Sequence, residues 1–454
     1  MTDGIFVSTI SIEKSFKNLF TEEGEKMPRV GFLDKNHISG IKKVVLSNGI
    51  TVFMEELPER KKAVFLVGIG AGSRDDPLDL QGISHLVEHI QFKSNQFRSA
   101  EEIPEDVEDG GGRIHAGTDS HSTVIYIDRI RPYLLSKNIR ILYEIISNFE
   151  YNTDEIEREK LEASTEIRKH IEDPEEYYLG HLFIPSLLRK TFGEKPIPGN
   201  RKTIKKITKE DLVDFKKRFH LPNNMIIIVC GKFDGERVLK KIEGTFGRLK
   251  LKPLESREFK ISLINRRKEI FKKRKGLGLV YLALGYRTSG FDSYDSLKLM
   301  LLDSILSSGM SSRLPKRLTN ERGIGYDELQ SVYDDYGGIG VFYITVGGFD
   351  PRRFKEARNI ILKELEDLKT NLAGKREFLR AKNQLLSEAD GAMDDLQSRA
   401  EWLSDCYFTK SIFDPRNLKK YISKISREAV RRTAQKYFGQ NYTLTALVPE
   451  NFEK

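Results

Sequence analysis

The sequence predicts an α+β protein made of two related halves, and three observations carry that prediction. The chain has 454 residues, more than one hydrophobic core usually serves, so its length favours two domains or a repeated unit. "IKKITKEDLVDFKKRFHLPNNMIIIVCG" at 204–231 resembles "ISKISREAVRRTAQKYFGQNYTLTALVP" at 422–449, an offset of 218 residues. Each copy reads as an amphipathic helix capped by Thr208 or Ser426, followed by a turn and an apolar strand. A second pair, "AVFLVGIGAGSRDD" at 63–76 and "LVYLALGYRTSGFD" at 279–292, recurs at a similar offset. Each of these is a strand leading through a polar loop into a helix.

Composition removes several function classes. With 39% hydrophobic and 31% charged residues, the chain is too apolar for general disorder and polar enough for a hydrated surface. Its longest apolar runs, such as "MIIIVC" at 225–230, fall far short of the ~20 residues a bilayer crossing needs. The N-terminal "MTDGIFVSTISIEKSFKNLF" lacks the basic start and apolar block of a secretory signal, and its acidic residues argue against a transit peptide. A cytoplasmic protein is expected, without membrane association. Cys230 and Cys406 are too few and too far apart for a disulfide framework or a thiolate zinc site, and read as buried small apolar residues. The net charge of +9 is dispersed among acidic residues without a nucleic-acid reading motif, so no nucleic-acid partner is expected.

Taken in order, residues 1–40 read as an N-terminal extension and 41–247 as the first half. The highly basic stretch 248–275 contains the join and the start of the second half, and 276–454 forms the rest of that half. All eight histidines lie at or before His220, so only the first half can supply a histidine metal site. Where it carries "SHLVEHIQF", the second half carries "SLKLMLLDSIL". On a helix, His85 and His89 fall about 40° apart and one turn along, so two imidazoles can meet one ion. Glu88 lies about 60° from His85 on the other side, where it can face the ion's open position without being a ligand. Neutral imidazoles suit Zn²⁺, and a catalytic zinc site normally takes a third protein ligand. The helix "DEIEREKLEASTEIRKHIEDP" at 154–174 offers Glu159, Glu162 and Glu166 on one face, with His170 one turn further; spacing alone does not choose among them. His115, His121, His181 and His220 read as surface or loop histidines. "GGGRIHAGTDSHSTVIYI" reads as an edge strand preceded by glycines that let another backbone approach. The acidic run "EEIPEDVEDG" at 101–110 reads as a solvated helix face.

The H-x-x-E-H pattern in "GSRDDPLDLQGISHLVEHIQFKSNQFRSAEEI" is the inverted zinc motif of inverzincins. This stretch resembles the pitrilysin and insulinase type of metallopeptidases, particularly the short-chain branch that includes mitochondrial processing peptidase. The likeness continues through the glycine-led strand, the glutamate helix, residues 207–231 and "GMSSRLPKRLTNERGIGYDE", covering roughly residues 40–450. It implies two homologous α/β-sandwich halves, mostly antiparallel sheet covered by helices. It also implies one Zn²⁺ per chain on His85, His89 and Glu166, with Glu88 as general base and Glu159 supporting the site. Residues 113–118 would be the edge that takes up substrate, with Arg113, Ile114, His115 and Ala116 among the binding residues. His115 replaces the asparagine usual at its place.

In active members of that family the second half supplies an arginine and a tyrosine that bind substrate, separated by six residues. Tyr326 stands at the tyrosine's place here, and Thr319 at the arginine's. Family members built from two half-size chains set the zinc of one chain against the second half of the other. The resemblance therefore implies a zinc endopeptidase for peptides or short unfolded segments, acting as the catalytic subunit of a heterodimer whose homologous partner carries the Arg/Tyr pair. A homodimer is the alternative, and an arginine restored at position 319 is then expected to recover part of the activity. The competing functional readings are a non-catalytic scaffold subunit and a maturase dedicated to one modified peptide.

Overall fold

A computed structural model describes residues 32–34, 38–255, 257, 259, 262–325 and 328–453. It contains two sheets. The first half forms β1 (Lys42–Val45), β2 (Thr51–Glu56), β3 (Ala63–Ile69), β4 (Arg113–Thr118), β5 (Thr123–Ile130) and β6 (Met225–Gly231), arranged β1-β2-β6-β3-β5-β4. The second forms β7 (Lys268–Arg274), β8 (Val280–Thr288), β9 (Leu329–Asp335), β10 (Gly340–Phe349) and β11 (Thr443–Pro449), arranged β7-β11-β8-β10-β9. Without β1 the two orders coincide strand for strand. In each sheet one pair is parallel, β2 with β6 and β7 with β11, and the rest are antiparallel. The repeats seen in the sequence fall at equivalent places: β3 matches β8, and β6 matches β11. Both expected caps form, with Thr208 Oγ1 accepting from the Asp211 amide and the Ser426 side chain from the Ala429 amide.

Strands β3 and β6 are buried at every residue, which explains why both read as unbroken apolar runs rather than an in-out alternation. One face of the first sheet is covered by first-half helices, including Leu135–Ser147 and Lys209–Phe219. Its other face is covered from the second half. Ala400, Leu403 and Cys406 of helix Leu396–Phe408 pack on Phe53, Val64, Leu66, Ile226, Ile228 and Cys230. Gly68 permits this approach, because a Cβ there would stand 2.8 Å from Phe408 Cε2. The exchange is reciprocal. Tyr178, Phe183, Ile184, Leu187 and Leu188 of the first half cover Tyr281, Ala283, Val341, Tyr343 and Leu447 of the second sheet.

Two buried arginine-centred anchors hold the exchanged segments. Arg399 donates to both oxygens of Glu55 at 2.6 Å, and Arg416 reaches the same carboxylate at 3.3 Å. Arg287 donates to the carbonyls of Leu187 and Arg189. Cys230 and Cys406 are buried free thiols, as expected from their isolation in the sequence. Among the described residues of the N-terminal extension, Phe32, Leu33 and Ile38 bury against the first sheet and helix Leu396–Phe408. Among the described residues, no helix is long and apolar enough to cross a membrane.

Candidate metal centre

The helix α1, Ile83–Ile90, starts at Gly82, whose φ of +89° is a conformation glycine adopts without strain. Asp76 anchors the start by accepting from the amides of Gly82 at 2.7 Å and Ser84 at 3.1 Å. The apolar side chains Ile83, Leu86, Val87 and Ile90 enter the core, which turns His85, Glu88 and His89 toward a second helix. This is α2, Thr153–Glu172, capped by Asn152 accepting from the Asp154 amide.

Glu166 of α2 faces both imidazoles. Its two oxygens lie 3.6 Å from His85 Nε2 and 3.5 Å from His89 Nε2. His85, His89 and Glu166 each offer a ligand atom within 4.8 Å of the others. Glu159 sits at the opposite side of one ring, 3.2 Å from His89 Nδ1, and is itself bound by Lys93 Nζ at 2.6 Å. A carboxylate in that position fixes the orientation of an imidazole and leaves its other nitrogen free for a ligand bond. Glu162 is exposed and groups with His89 and Glu159, an arrangement that leaves His85 out. His170 lies at the rim, with Nε2 3.8 Å from Glu166 Oε1.

The electrostatics match this donor set to a cation. Burial drives the His85 imidazole down to about 4, and neighbouring His89 pushes the same way. Burial also opposes charge on His89, but hydrogen bonds to Glu159 and Glu166 outweigh it and raise that imidazole to about 9. One neutral imidazole, one that carries a proton and a carboxylate thus converge. Replacing that proton with a divalent ion would satisfy all three donors, and two nitrogens with one carboxylate oxygen are a donor set suited to zinc.

Glu88 lies beside this group. Burial raises its carboxyl above the usual carboxylate range, against the hydrogen bond that Oε2 accepts from Thr118 Oγ1 at 2.7 Å. Thr118 ends β4, the outermost strand of the first sheet. Among the described residues, nothing pairs with the outer edge of β4. Arg113, Ile114, His115 and Ala116 lie along that strand opposite Asp128, Ile127, Tyr126 and Ile125. His115 stacks on Tyr126 with ring centroids 5.2 Å apart. An extended peptide added to β4 would run past Glu88.

Several sequence expectations change. The glycines before β4 close a turn: the amides of Gly111 and Gly112 donate to Glu108 and Val107, ending helix Glu102–Glu108. A Cβ on Gly110 would stand 2.6 Å from Leu134, whereas one on Gly111 would meet nothing within 4 Å, so the segment is packed at Gly110 and open at Gly111. His121 and His220 are buried, not surface residues. The Thr319 hydroxyl is engaged within its own half. The residue is buried in the π-helical turn Pro315–Asn320, and its hydroxyl donates to Ile324 O at 3.2 Å. An arginine placed there would give up this contact with Ile324 O. Tyr326 lies outside the described residues. Thr118 and Lys93 were not foreseen; only a tertiary contact links either to the site.

Comparison with known proteins completes the picture. Residues 51–196 match the family model described as insulinase (peptidase family M16), and residues 206–385 match the peptidase M16 inactive domain. An uncharacterized zinc protease of Rickettsia felis is 28% identical over 411 residues, covering 89% of this chain and 97% of its own length. A probable mitochondrial-processing peptidase subunit beta of Arabidopsis thaliana is 24% identical, over 89% of this chain and 77% of that one. The crystal structure of a protease from Helicobacter pylori has the same fold, with a TM-score of 0.84 at 22% identity, covering 90% of this chain and 99% of that chain.

Proposed function

Because the chain belongs to the insulinase family of peptidases, M16, we propose that it is a zinc-dependent endopeptidase for peptides or short unfolded segments. The observation that carries this reading is the convergence of His85, His89 and Glu166 beside Glu88 and an unpaired strand edge. His85, His89 and Glu166 would hold Zn²⁺, with Glu159 orienting His89. When bound, the ion supplies Lewis-acid polarisation of the scissile carbonyl and lowers the pKa of water. Glu88 takes the proton of the attacking water on its carboxylate and returns it to the leaving amine nitrogen. Thr118 holds that carboxylate in place, and β4 aligns the substrate by strand addition, using backbone hydrogen bonds along residues 113–116. The purified chain is expected to bind one zinc at this site, and His85→Ala or His89→Ala to remove most of it. Unchanged metal content at this site in both variants, measured by mass spectrometry, would refute the assignment.

The catalytic assembly in this reading has two chains. Support comes from the arginines around Thr319, each of which is paired with carboxylates of its own half in this structure. Arg313 binds Glu377 and Asp367, Arg317 binds Glu321 and Glu364, and Arg322 binds Glu321 and Glu356. None stands unpaired as the planar cation that would bind a substrate carbonyl or carboxylate. A homologous partner would supply it together with a tyrosine. A charge-assisted contact of ~1.5–3 kcal/mol corresponds to roughly ten- to a hundredfold in binding. Adding such a partner should therefore raise peptide cleavage by that factor while leaving metal content unchanged. Equal cleavage by the unaided chain, with or without the partner, would leave the metal site standing and remove the two-chain assembly.

A further inference from the structure

The turn between β4 and β5, residues 119–122, holds a second convergence of ligand atoms that peptide hydrolysis does not use. His121 is 1% exposed, and its Nε2 has no hydrogen-bond partner. The other ring nitrogen lies 3.3 Å from Ser120 Oγ, and Phe408 packs beside the ring. The unpartnered Nε2 points at Asp405 Oδ1, 3.5 Å away on helix Leu396–Phe408 of the second half. Asp119 completes the group: it, His121 and Asp405 each place one ligand atom within 4.8 Å of the others. One Asp119 oxygen accepts from the Ser120 amide at 2.6 Å, leaving the second for another partner.

A buried imidazole nitrogen that makes no hydrogen bond and has only a 3.5 Å ion-pair contact with Asp405 is incompletely satisfied, so its persistence calls for an explanation. The surroundings are short of positive charge. Burial pushes the neighbouring Asp334 carboxyl up to about 7, with Asp119 and Asp405 adding to the rise. Arg74, whose charge acts on His121, is shared with Asp75 at 3.8 Å and with the Gly337 carbonyl at 3.3 Å. One imidazole and two carboxylates from opposite halves form a donor set for a borderline divalent ion.

We propose that Asp119, His121 and Asp405 bind a divalent first-row transition ion that ties the β4–β5 turn of the first half to helix Leu396–Phe408 of the second. The ion holds the end of β4, where Thr118 contacts Glu88, but its ligands are separate from His85, His89 and Glu166. This site therefore stands or falls independently of the peptidase reading.

The test is equilibrium dialysis of the full chain against Zn²⁺ and, separately, Mn²⁺, followed by metal analysis. Wild type should hold two zinc ions per chain, and His85→Ala/His89→Ala should hold one. Adding Asp405→Asn to that double variant should abolish the remaining ion, and so should His121→Gln. Asp405 is half exposed, so its substitution leaves the fold intact should the buried histidine not tolerate change. Either ion should also raise the thermal midpoint of the double variant, and neither should do so once Asp405→Asn is added. A double variant that binds no ion overturns the proposal. So does a stoichiometry that Asp405→Asn leaves unchanged, in the double variant or in the wild-type background.

Discussion

Glu88→Gln is expected to retain zinc and to lose peptide cleavage by about 10²- to 10⁴-fold, the range typical of a positioned general acid-base group. That corresponds to roughly 3–5 kcal/mol of transition-state stabilisation. Glutamine keeps the side-chain length, and its carbonyl oxygen can still accept the Thr118 hydroxyl now bonded to Oε2, so the arrangement survives while the proton acceptor is gone. His85→Ala should lose both activity and the ion held by His85, His89 and Glu166, because Nε2 of that ring is one of the three convergent donors. Metal analysis and cleavage of a peptide mixture, run on the same preparations, separate the two effects. A Glu88→Gln chain that cleaves at the wild-type rate would place the base elsewhere.

Glu55→Ala should destabilise the protein by about 3–5 kcal/mol, the cost typical of removing one partner from a buried ion pair. The carboxylate of Glu55 is 5% exposed, and the two guanidinium groups it binds, on Arg399 and Arg416, are 13% and 11% exposed. Arg416 keeps Asp414, so the penalty falls mainly on Arg399, which would retain only the Met393 carbonyl. Chemical denaturation compares the variants. Arg399→Met introduced together with Glu55→Ala should recover much of the loss, since no charge then stays buried without its counterion. A change below about 1 kcal/mol for Glu55→Ala alone would mean that this pair does not hold the halves together.

The duplicated fold was legible because each half repeats a local pattern: capped helix, turn and apolar strand at a constant offset. The close meeting of His85 and His89 was legible for a similar reason, since helical geometry fixes how residues four apart meet. Choosing among Glu159, Glu162 and Glu166 was not possible from residue spacing, as all three share one face of α2. The packing angle between α1 and α2 makes the distinction, setting Glu166 before both Nε2 atoms and Glu159 behind His89. The contact of Thr118 with Glu88 spans 30 residues and leaves no periodic trace. His121 was misjudged because a polar turn normally lies at the surface, whereas here a helix from the far end of the chain covers it. Thr319 stands at a motif position, and a motif position does not reveal that its hydroxyl closes its own loop.

The exchange of helices between the sheets also sets an order on synthesis. The first sheet is complete once Gly231 has emerged, yet the helix that covers its outer face begins at Leu396, 165 residues later. At about 5–20 residues per second, Val64, Leu66, Ile226 and Ile228 remain uncovered on the ribosome for roughly ten to thirty seconds. During that interval a folded first half displays a sticky apolar surface, which makes the nascent chain a natural client for chaperones.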